Sequence, residues 1–467
     1  MFVVRPSPDS PRCDGDGIAR AAPTAPAAAT VVCTELGRGP SARAGRDQCA
    51  WERVAAGLPA LTDEQVLEFR EQGVLVVRGA LDPSEVARAR SGLHECLRTR
   101  AGVDLGDLEG TAGGLRGLSS TGGSGGVLDI FYEPFQIRVA TNDVCFRAVS
   151  QLWAASFASA ADPLFRHRHG PFDPSRGYAY LDRVCFRVPT RISELHATGT
   201  SKRCSFPLQR SLTPHFDCCP ADMDKDVQGG KAVAKWRPLQ AFVSLTDTFA
   251  PEMGGFEAAN GFHKGFEAWA RDRPPQAAPR PAQPGSPGRT KAQRRAAATQ
   301  AAATEASATK AAATEVSATE AAATEVSAAQ ASVSDAACLT PAPPVRAPCL
   351  GEFTPVRPRE DADVLARVTH VGAGAGDLVV WDSRIPHGNS RTNASAHSRE
   401  VVFVGLLPAV PLNAAFAVAQ RSKWEAGVEP VDQWVKAPGG VRLDKYAGSV
   451  DDLTPLGRRL LGIDPWP

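Results

Sequence analysis

The sequence predicts an α+β protein in which a group of N-terminal helices precedes a β-sandwich or barrel. Helix-start signals and helical apolar stripes occur repeatedly within residues 59–160, and from residue 178 the pattern changes to short β-branched runs between Gly-rich turns. Helices followed by short strands are typical of this class. A compositionally biased stretch, residues 271–350, interrupts the strand-rich half.

The first predicted helix carries explicit start and stop signals. Thr62 and Gln65 have the spacing of a capping box, in which the two side chains satisfy free N–H groups at the helix start. We expect this helix to end at Gly73 and a strand to follow over residues 74–79. Asp82, Pro83 and Glu85 mark a second helix start. An apolar stripe with helical spacing follows, formed by Val86, Ala89, Leu93 and Leu97.

The next segment, residues 101–126, is rich in glycine and lacks the GxxxxGK[ST] pattern of a phosphate-binding loop. It is predicted to be a mobile loop or lid, with a phosphate-cradling loop as the alternative. Residues 135–160 predict a further helix from the spacing of their apolar residues. The predicted strands of the second half are 179–188, 239–247, 377–383 and 400–408.

One main domain with two flanking segments is expected. Residues 1–58 are rich in Ala, Pro, Gly, Ser and Arg and are predicted to be low-complexity and disordered. The main domain spans residues 59–425, with its strand-rich core at about 178–410. Residues 426–467 are expected to form an extension that packs on this core.

The insertion at residues 271–350 contains a ten-residue repeat, AAATEASATK, AAATEVSATE and AAATEVSAAQ. A ten-residue period does not match the helical repeat, so no steady apolar seam forms. We therefore predict a low-complexity surface loop that is helical at most transiently. A partner-binding helix is the alternative interpretation.

Charge and cysteine usage limit the partners and the compartment. The 52 Lys+Arg and 51 Asp+Glu argue against nucleic acid or a membrane surface as a partner held by bulk charge. The 11 cysteines include no CxxC pair, so reduced thiols in an intracellular compartment, with the cytoplasm as first choice, are expected. No apolar run is long enough to span a membrane. The N-terminus lacks a signal-peptide core, and an organelle transit segment is the open alternative.

The stretch LTPHFDCCP, residues 212–220, concentrates side chains that can bind a metal. On an extended strand His215 and Asp217 project from the same face, so both can reach one ion, while Phe216 points into packing. A third ligand should come from another strand, and His387 lies just after a predicted buried strand.

Two histidines and one carboxylate leave about three positions open on an octahedral ion, the facial triad of non-haem Fe(II) oxygenases. Such positions accept a bidentate oxo-acid cosubstrate and dioxygen, and the far carboxylate of the oxo acid needs a cation. Arg399 stands at the start of the next predicted strand, and its forked guanidinium suits a carboxylate. Arg391, in a loop-like stretch, is the rival candidate.

Two neighbouring cysteines admit other interpretations of the same stretch. Cys218 and Cys219 could complete a zinc site, but adjacent cysteines on a strand point to opposite faces, so we interpret them as buried or partly buried thiols. A Cys–His nucleophile lacks any oxyanion-hole signature in the sequence.

Further histidines and arginines have weaker functional interpretations. His263 is expected to cap a loop, with a catalytic role as the alternative. His167 and His169 are expected in a substrate-facing or solvated loop, with an isolated metal-binding tract as the alternative. Arg183 and Arg187 share one face of a predicted strand, where they either bind substrate anions or pair with acids.

The order of these features resembles that of the phytanoyl-CoA dioxygenase-like family of Fe(II)- and 2-oxoglutarate-dependent oxygenases. Four stretches carry the resemblance: FREQGVLVVRGALDPSEV (69–86), HFD (215–217), SLTDTFAPEMGGFEAANGFHKG (244–265) and GDLVVWDSRIPHGNSRTNASAHSRE (376–400). They resemble the family's helix–strand–helix, its HxD pair, its strand with an acidic turn, and its strand with the distal histidine and later arginine. Together they touch most of the chain from residue 60 to 410 outside the insertion.

The resemblance implies a double-stranded β-helix (jelly-roll) core flanked by the N-terminal helices. It implies iron ligation by His215, Asp217 and His387 and binding of 2-oxoglutarate by Arg399. It also implies dioxygen as the second cosubstrate, with ascorbate as a candidate reductant.

Departures from the family pattern bear on secondary contacts. Asn260 and Phe262 differ from the family's PGSHK-like segment, and Asn389 stands where some members have Ser. Halogenating relatives replace the carboxylate ligand with a small residue, so Asp217 favours hydroxylation.

The expected activity is hydroxylation of a C–H bond in a small-molecule or acyl substrate, with release of succinate and CO2. Two alternatives stay open. One is a catalytically silent jelly-roll scaffold that binds partners through the insertion, and the other is a cupin-like metal hydrolase or isomerase. The sequence identifies neither the substrate nor the oligomeric state.

Overall fold

The computed structural model describes residues 48–161, 167–199, 206–220, 227–228, 231–272, 353–428 and 452–467. Most of the predicted segment 1–58 and almost all of the insertion 271–350 lie outside these residues. A helix at Ala50–Ala55 is described, so ordered structure begins before residue 59, earlier than the composition indicates.

The α-helices of the described residues are α1 (Ala50–Ala55), α2 (Asp63–Gln72), α3 (Pro83–Ala101), α4 (Leu108–Thr111), α5 (Pro134–Ala140), α6 (Asp143–Ser156), α7 (Thr190–Leu195), α8 (Phe266–Asp272), α9 (Ala362–Leu365), α10 (Pro411–Glu425) and α11 (Pro455–Leu460). Two 3₁₀ helices span Ala112–Leu118 and Phe262–Gly265.

The strands are β1 (Val74–Val77), β2 (Val127–Leu128), β3 (Gly177–Tyr180), β4 (Val184–Arg187), β5 (His215–Phe216), β6 (Val227–Gln228), β7 (Lys231–Ala232), β8 (Leu239–Ser244), β9 (Phe256–Ala259), β10 (Thr354–Pro355), β11 (Val368–Val371), β12 (Leu378–Asp382), β13 (His387–Asn389), β14 (Arg399–Phe403) and β15 (Gly405–Pro408).

Most strands belong to two antiparallel sheets. A six-stranded sheet has the order β1-β12-β8-β14-β4-β2, and a five-stranded sheet has the order β10-β5-β13-β9-β11. The pairs β15–β3 and β6–β7 are separate. Along the chain the strands pass back and forth between the two sheets, with β4, β8, β12 and β14 in the first and β5, β9, β11 and β13 in the second. The predicted combination of helices with a strand-rich second half is confirmed.

The six-stranded sheet is buried on both faces. On β12, Leu378 and Val380 pack in the cluster that contains Leu93 of α3. Val379, between them, packs in the cluster that contains Phe216 of β5. Because successive side chains of a strand point to opposite faces, helices cover one face of this sheet and the five-stranded sheet covers the other.

Both predicted helix starts are confirmed. The Thr62 hydroxyl accepts a hydrogen bond from the Gln65 N–H at 3.3 Å, and the Thr62 N–H donates to the Gln65 side chain at 2.9 Å. Asp82 and Glu85 form the same reciprocal pair at the start of α3. Gly73 ends α2 with a φ of 67°, which glycine adopts without strain, and β1 follows at once to pair with β12.

Two predicted strands, 179–188 and 400–408, are each divided in the structure. The first forms β3 and β4, and the second forms β14 and β15. β4 and β14 pair within the six-stranded sheet, whereas β3 and β15 pair outside it. The prediction of one continuous strand in each segment was wrong, because a strand ends where its hydrogen-bonded neighbour ends, and local propensity does not show this.

The predicted helix 135–160 is divided as well, into α5 and α6. Asn142 accounts for the break, since its side chain accepts a hydrogen bond from the Cys145 N–H at 3.1 Å and caps α6. The Gly-rich stretch 101–126, predicted as a mobile loop or lid, contains α4 and a 3₁₀ helix, Ala112–Leu118.

The C-terminal residues contain a helix, α11. Trp466 donates a hydrogen bond from Nε1 to the Gly177 carbonyl at 2.8 Å, and its ring stacks on that of Phe146 at 5.9 Å. Within the part of the chain that the structure describes, no helix combines the length and the apolar character that a membrane span needs.

A buried carboxylate ties α3 to the six-stranded sheet. Glu400 on β14 accepts hydrogen bonds from Arg90 Nε at 2.9 Å and Nη2 at 3.1 Å, and lies 3.0 Å from His94 Nε2. Burial alone would raise the pKa of Glu400, but His94 and Arg90 lower it below its usual value. The folded-state pKa is depressed, so this carboxylate stabilises the fold above roughly pH 4.5, and the contribution is lost as the pH falls through the folded-state pKa.

Glu400→Gln is expected to lower the free energy of unfolding by about 2 kcal/mol at pH 7, because Arg90 loses its charged acceptor and His94 loses the carboxylate beside it in a buried site. Urea unfolding followed by circular dichroism measures this loss, which should shrink toward pH 4. Glu95→Gln is the control, since it removes only the exposed partner of Arg98 on the same helix. An equal loss at both pH values would contradict a role for the ionised carboxylate.

Candidate metal centre and cavity

The candidate site lies where β5 and β13 pair in the five-stranded sheet. His215 and His387 are direct partners in this ladder, with ring centroids 4.5 Å apart. Asp217 directly follows β5, and one ligand atom from each of the three residues lies within 4.8 Å of the others. Phe216 is fully buried, and its ring lies 5.7 Å from that of Phe266. The structure thus brings together the three side chains singled out in the sequence.

Both imidazoles are oriented by backbone carbonyls. Nδ1 of His215 lies 3.0 Å from Thr213 O, and Nδ1 of His387 lies 3.0 Å from Ile385 O. A proton on each Nδ1 makes these hydrogen bonds and leaves the Nε2 lone pairs facing Asp217. The Nε2 atoms lie 3.1 Å from Oδ1 for His215 and 3.6 Å from Oδ2 for His387. Three electron-pair donors converge, an arrangement that a cation between them would stabilise.

Electrostatics in the site favour the protonation states that bind metals. Burial alone would raise the pKa of Asp217, but His215 and His387 lower it well below its usual value. Burial and then the proximity of His215 lower the pKa of His387. An ionised carboxylate and a neutral imidazole are the forms that ligate metal ions.

A cavity of about 400 Å³ opens beside the three residues. The Trp381 ring lies 5.0 Å from that of His387, and the Phe353 ring lies 4.8 Å from that of His215. This volume falls in the range of small-molecule sites. The remaining aromatic residues of the cavity wall are Phe242, Phe256, Tyr180 and Phe403.

Arg399 lines this cavity, whereas Arg391 is exposed and is not part of its wall. The Arg399 guanidinium is buried, lies 5.3 Å from the Phe242 ring centroid, and has Nη1 3.4 Å from Cys185 Sγ. Its Nε is buried and makes no hydrogen bond within the described residues. A buried guanidinium with an unsatisfied donor suits an anion in the cavity.

Arg187 is the cross-strand partner of Arg399 but has a structural role. Burial and then the proximity of Arg399 lower its pKa to about 10. The predicted alternatives, a substrate anion or an acidic partner, were wrong for Arg187, because its guanidinium donates at 2.7–3.2 Å to the backbone carbonyls of Gly254, Ser390 and Arg391.

Two cavity residues escaped the sequence analysis, Arg237 and Gln240. Arg237 Nη2 lies 3.5 Å from Asp217 Oδ2. Gln240 is buried on β8, lines the cavity, and has an amide nitrogen without a hydrogen-bond partner in the described residues. The sequence did contain a signal for Gln240: it is a polar residue inside an otherwise apolar predicted strand, and buried polar residues are uncommon without a hydrogen-bond partner.

Asn389 joins two segments at the cavity. Its Oδ1 accepts a hydrogen bond from the Leu212 N–H at 2.7 Å, and its Nδ2 donates to the Gly125 carbonyl at 3.3 Å. It therefore holds the chain before β5 against the end of the Gly-rich stretch, a role that the sequence did not indicate.

The adjacent cysteines differ from each other. Cys218 is buried and not disulfide-bonded, as predicted, but Cys219 is disulfide-bonded. The expectation of a reduced thiol was wrong for Cys219, because tertiary proximity determines disulfide pairing. Among the described residues the cluster of metal-ligating side chains contains no cysteine, so zinc binding with Cys218 has no support.

The other histidines singled out in the sequence pack away from the cavity wall. His263 is buried with Nε2 3.1 Å from the Arg70 carbonyl, next to α2. The rings of His167 and His169 lie 4.2 Å and 4.7 Å from the Trp236 ring, and neither residue lines the cavity.

No protein-family model matches the sequence, and no curated protein matches it. Its fold is nevertheless similar to solved structures. GIG2 (DUF1479) from Candida albicans matches with a TM-score of 0.56 and 11% identity, over 87% of this chain and 77% of that one. The hypothetical protein JW0805 from Escherichia coli, at high pH, matches with a TM-score of 0.50 and 15% identity, over 89% of this chain and 84% of that one.

A weaker similarity is found to HygX from Streptomyces hygroscopicus with nickel and 2-oxoglutarate bound. Its TM-score is 0.34 at 15% identity, over 75% of this chain and 88% of that one. The two stronger similarities concern the fold alone.

Proposed function

We propose that the protein is an iron(II)- and 2-oxoglutarate-dependent dioxygenase that hydroxylates a C–H bond of a small-molecule or acyl substrate. The observation that carries the proposal is the convergence of the Nε2 atoms of His215 and His387 with the Asp217 carboxylate. In this proposal the two sheets are a double-stranded β-helix, or jelly roll, whose strands pass between the sheets along the chain. Membership of the phytanoyl-CoA dioxygenase-like family is part of the same proposal and rests on the four stretches quoted above.

The three side chains fit ferrous iron. Two imidazole nitrogens and one carboxylate oxygen are the donor set of the facial triad, which leaves positions for other ligands. The Nδ1 hydrogen bonds of His215 and His387 are the usual way in which metal-binding imidazoles are oriented. Among the described residues, the cluster contains no cysteine thiolate, which is the ligand that would favour zinc.

Arg399 would bind the far carboxylate of 2-oxoglutarate, since its buried Nε has no hydrogen-bond partner in the described part of the chain. When bound, iron(II), 2-oxoglutarate and dioxygen supply the oxidation of the C–H bond, and 2-oxoglutarate leaves as succinate and CO2. The protein orients the cosubstrate through Arg399 and excludes water with its aromatic wall.

Succinate formation and oxygen consumption by the purified full-length protein test this function. With Fe(II), ascorbate and 2-oxoglutarate, we expect slow metal-dependent succinate release that a metabolite mixture containing the substrate accelerates. Absence of both iron binding and succinate would favour a silent scaffold. Metal-dependent turnover of a metabolite without oxygen consumption would favour a cupin-like hydrolase or isomerase.

A further inference from the structure

Two buried N–H donors of the cavity wall make no hydrogen bond within the described residues. They are Nε1 of Trp381 and Nε2 of Gln240. Both residues line the cavity, and only 3% of Trp381 and 4% of Gln240 is exposed. A buried donor that stays unpaired costs free energy, so most native structures supply an acceptor for it. The cavity is the side from which a bound molecule can supply one here.

The two donors belong to neighbouring positions on one face of the six-stranded sheet. Trp381 of β12 and Gln240 of β8 are direct partners in the antiparallel ladder. Such partners project from the same face, with Cβ atoms about 4.5–5.5 Å apart. Phe242, two positions after Gln240 and therefore on the same face, packs in one cluster with Trp381 and Phe216 of β5. This face is the one turned toward the metal centre, and one ligand oxygen can be within reach of both donors.

The indole of Trp381 is enclosed by rings that offer it no acceptor. Its ring centroid lies 4.8 Å from that of Phe256, 5.0 Å from that of His387 and 5.9 Å from that of Phe242. Phenyl rings have no lone pair to offer, and both ring nitrogens of His387 are directed at other groups. Because His387 is a candidate metal ligand, an oxygen bound by Trp381 also lies close to the metal centre.

These donors and the proposed cosubstrate arginine lie at opposite ends of β8. Phe403 of β14 is opposite Phe242 of β8, and the ladder is antiparallel. Arg399, four positions before Phe403, therefore lies beyond the last residue of β8, whereas Gln240 lies near the first. Phe242 stands between them, with its ring centroid 5.3 Å from the Arg399 guanidinium. The far carboxylate of 2-oxoglutarate at Arg399 thus leaves Trp381 and Gln240 to another ligand.

Both donors are uncharged, which limits the kind of ligand group that they suit. A buried carboxylate needs a charged partner to offset its lost hydration, whereas uncharged donors satisfy an uncharged oxygen. The rings of Phe242, Phe256 and Phe403 provide apolar surface in the same cavity wall. These surroundings favour an apolar molecule that carries a polar, uncharged oxygen.

We propose that the substrate carries an uncharged oxygen, of a carbonyl or a hydroxyl group, that accepts hydrogen bonds from Trp381 Nε1 and Gln240 Nε2. Its apolar body packs on the rings of Phe242, Phe256 and Phe403. Trp381 and Gln240 thereby select substrates, because a molecule without this oxygen leaves two buried donors unpaired. This inference rests on the proposed function and names the substrate class for the same site.

Four probes of nearly equal shape test the preference for an uncharged oxygen: acetophenone, 1-phenylethanol, ethylbenzene and benzoate. Isothermal titration calorimetry with the full-length protein, loaded with Ni(II) and 2-oxoglutarate, measures each Kd without turnover. Acetophenone or 1-phenylethanol is expected to bind about tenfold more tightly than ethylbenzene and than benzoate. The tighter of the two identifies the oxygen as carbonyl or hydroxyl. The proposal is overturned if neither binds better than ethylbenzene, if benzoate binds best, or if no probe binds.

Two variants that remove one donor each test the assignment to these residues. In Trp381→Phe and in Gln240→Leu, the preference for the oxygen-bearing probe over ethylbenzene should fall from about tenfold to about threefold or less. Phe403→Leu is the matched control, since it changes the apolar wall and removes no donor. It should weaken all probes alike and keep the preference. An unchanged preference in both donor variants contradicts the assignment.

Stability of the ligand-free protein separates ligand recognition from a structural role. Neither donor has a hydrogen bond to lose within the described residues, so Gln240→Leu should show a Tm at or above that of the wild type. A lower Tm together with an unchanged preference for the oxygen is the result expected of a structural amide, and it overturns the proposal.

Binding of Ni(II) and of 2-oxoglutarate by the wild type, measured first, separates this inference from the proposed function. If both bind and the probes show no preference for oxygen, the inference fails and the proposed function stands. If both donor variants weaken 2-oxoglutarate binding instead, the two donors serve the cosubstrate, and again only the inference fails. If neither Ni(II) nor 2-oxoglutarate binds, the proposed function fails and this inference fails with it.

Discussion

Asp217→Asn is expected to abolish iron binding and 2-oxoglutarate turnover. The substitution keeps the shape of the side chain but removes the only negative charge of the His215, Asp217 and His387 cluster. Loss of a partner that only orients a ligand typically costs 10- to 100-fold in metal affinity, so loss of the charged ligand should exceed about 100-fold. Anaerobic calorimetry with Fe(II) measures the affinity, and succinate formation measures the turnover.

The matched control for this variant is Asp182→Asn. Asp182 is the other aspartate of the cavity wall, but it is not one of the three clustered ligands, so iron binding should be retained. The facial-triad assignment would be contradicted if Asp217→Asn left the iron affinity unchanged, or if both variants lost it equally.

Arg399→Met should weaken 2-oxoglutarate binding about 100-fold while iron affinity is retained, because a bidentate charge-assisted contact is lost without touching the metal ligands. The ligand-free protein should not lose stability. Arg399 is buried beside Arg187, and this proximity contributes to lowering the Arg187 pKa to about 10, so its removal relieves repulsion between like charges. Thermal unfolding should therefore show a Tm at or above that of the wild type, with little further rise on adding 2-oxoglutarate.

Arg391→Met is the comparison that decides between the two arginines. Arg391 is exposed, so its side chain should be dispensable for 2-oxoglutarate binding, although its backbone carbonyl still accepts a hydrogen bond from Arg187. If Arg391→Met weakens 2-oxoglutarate binding and Arg399→Met leaves it unchanged, Arg391 and not Arg399 binds the cosubstrate.

Sequence reasoning succeeded where the relevant contacts are local. The capping pairs Thr62–Gln65 and Asp82–Glu85 involve residues three positions apart, so the sequence contains both partners of each interaction. His215 and Asp217 are only two positions apart, so the expectation that both reach one ion is similarly local. These features could be predicted because no distant part of the chain decides them.

Features that depend on distant partners could not be predicted in this way. The breaks inside 179–188 and 400–408 follow from which strand each half pairs with. The carbonyls that bind Arg187 come from two separate loops, and Arg237 reaches Asp217 only after β8 is in place. The disulfide of Cys219 belongs to the same class, because spacing along the chain does not show which thiols meet in space.

The pairing of β1 with β12 has a consequence for how the chain is made. The strand VLVV is translated roughly 300 residues before its neighbour, β12. At about 5–20 residues per second, the wait is roughly 15–60 s. During that interval an apolar strand edge is available to other nascent chains. Holdase chaperones that act during translation should therefore matter more for the yield of this protein than those that act on the finished polypeptide.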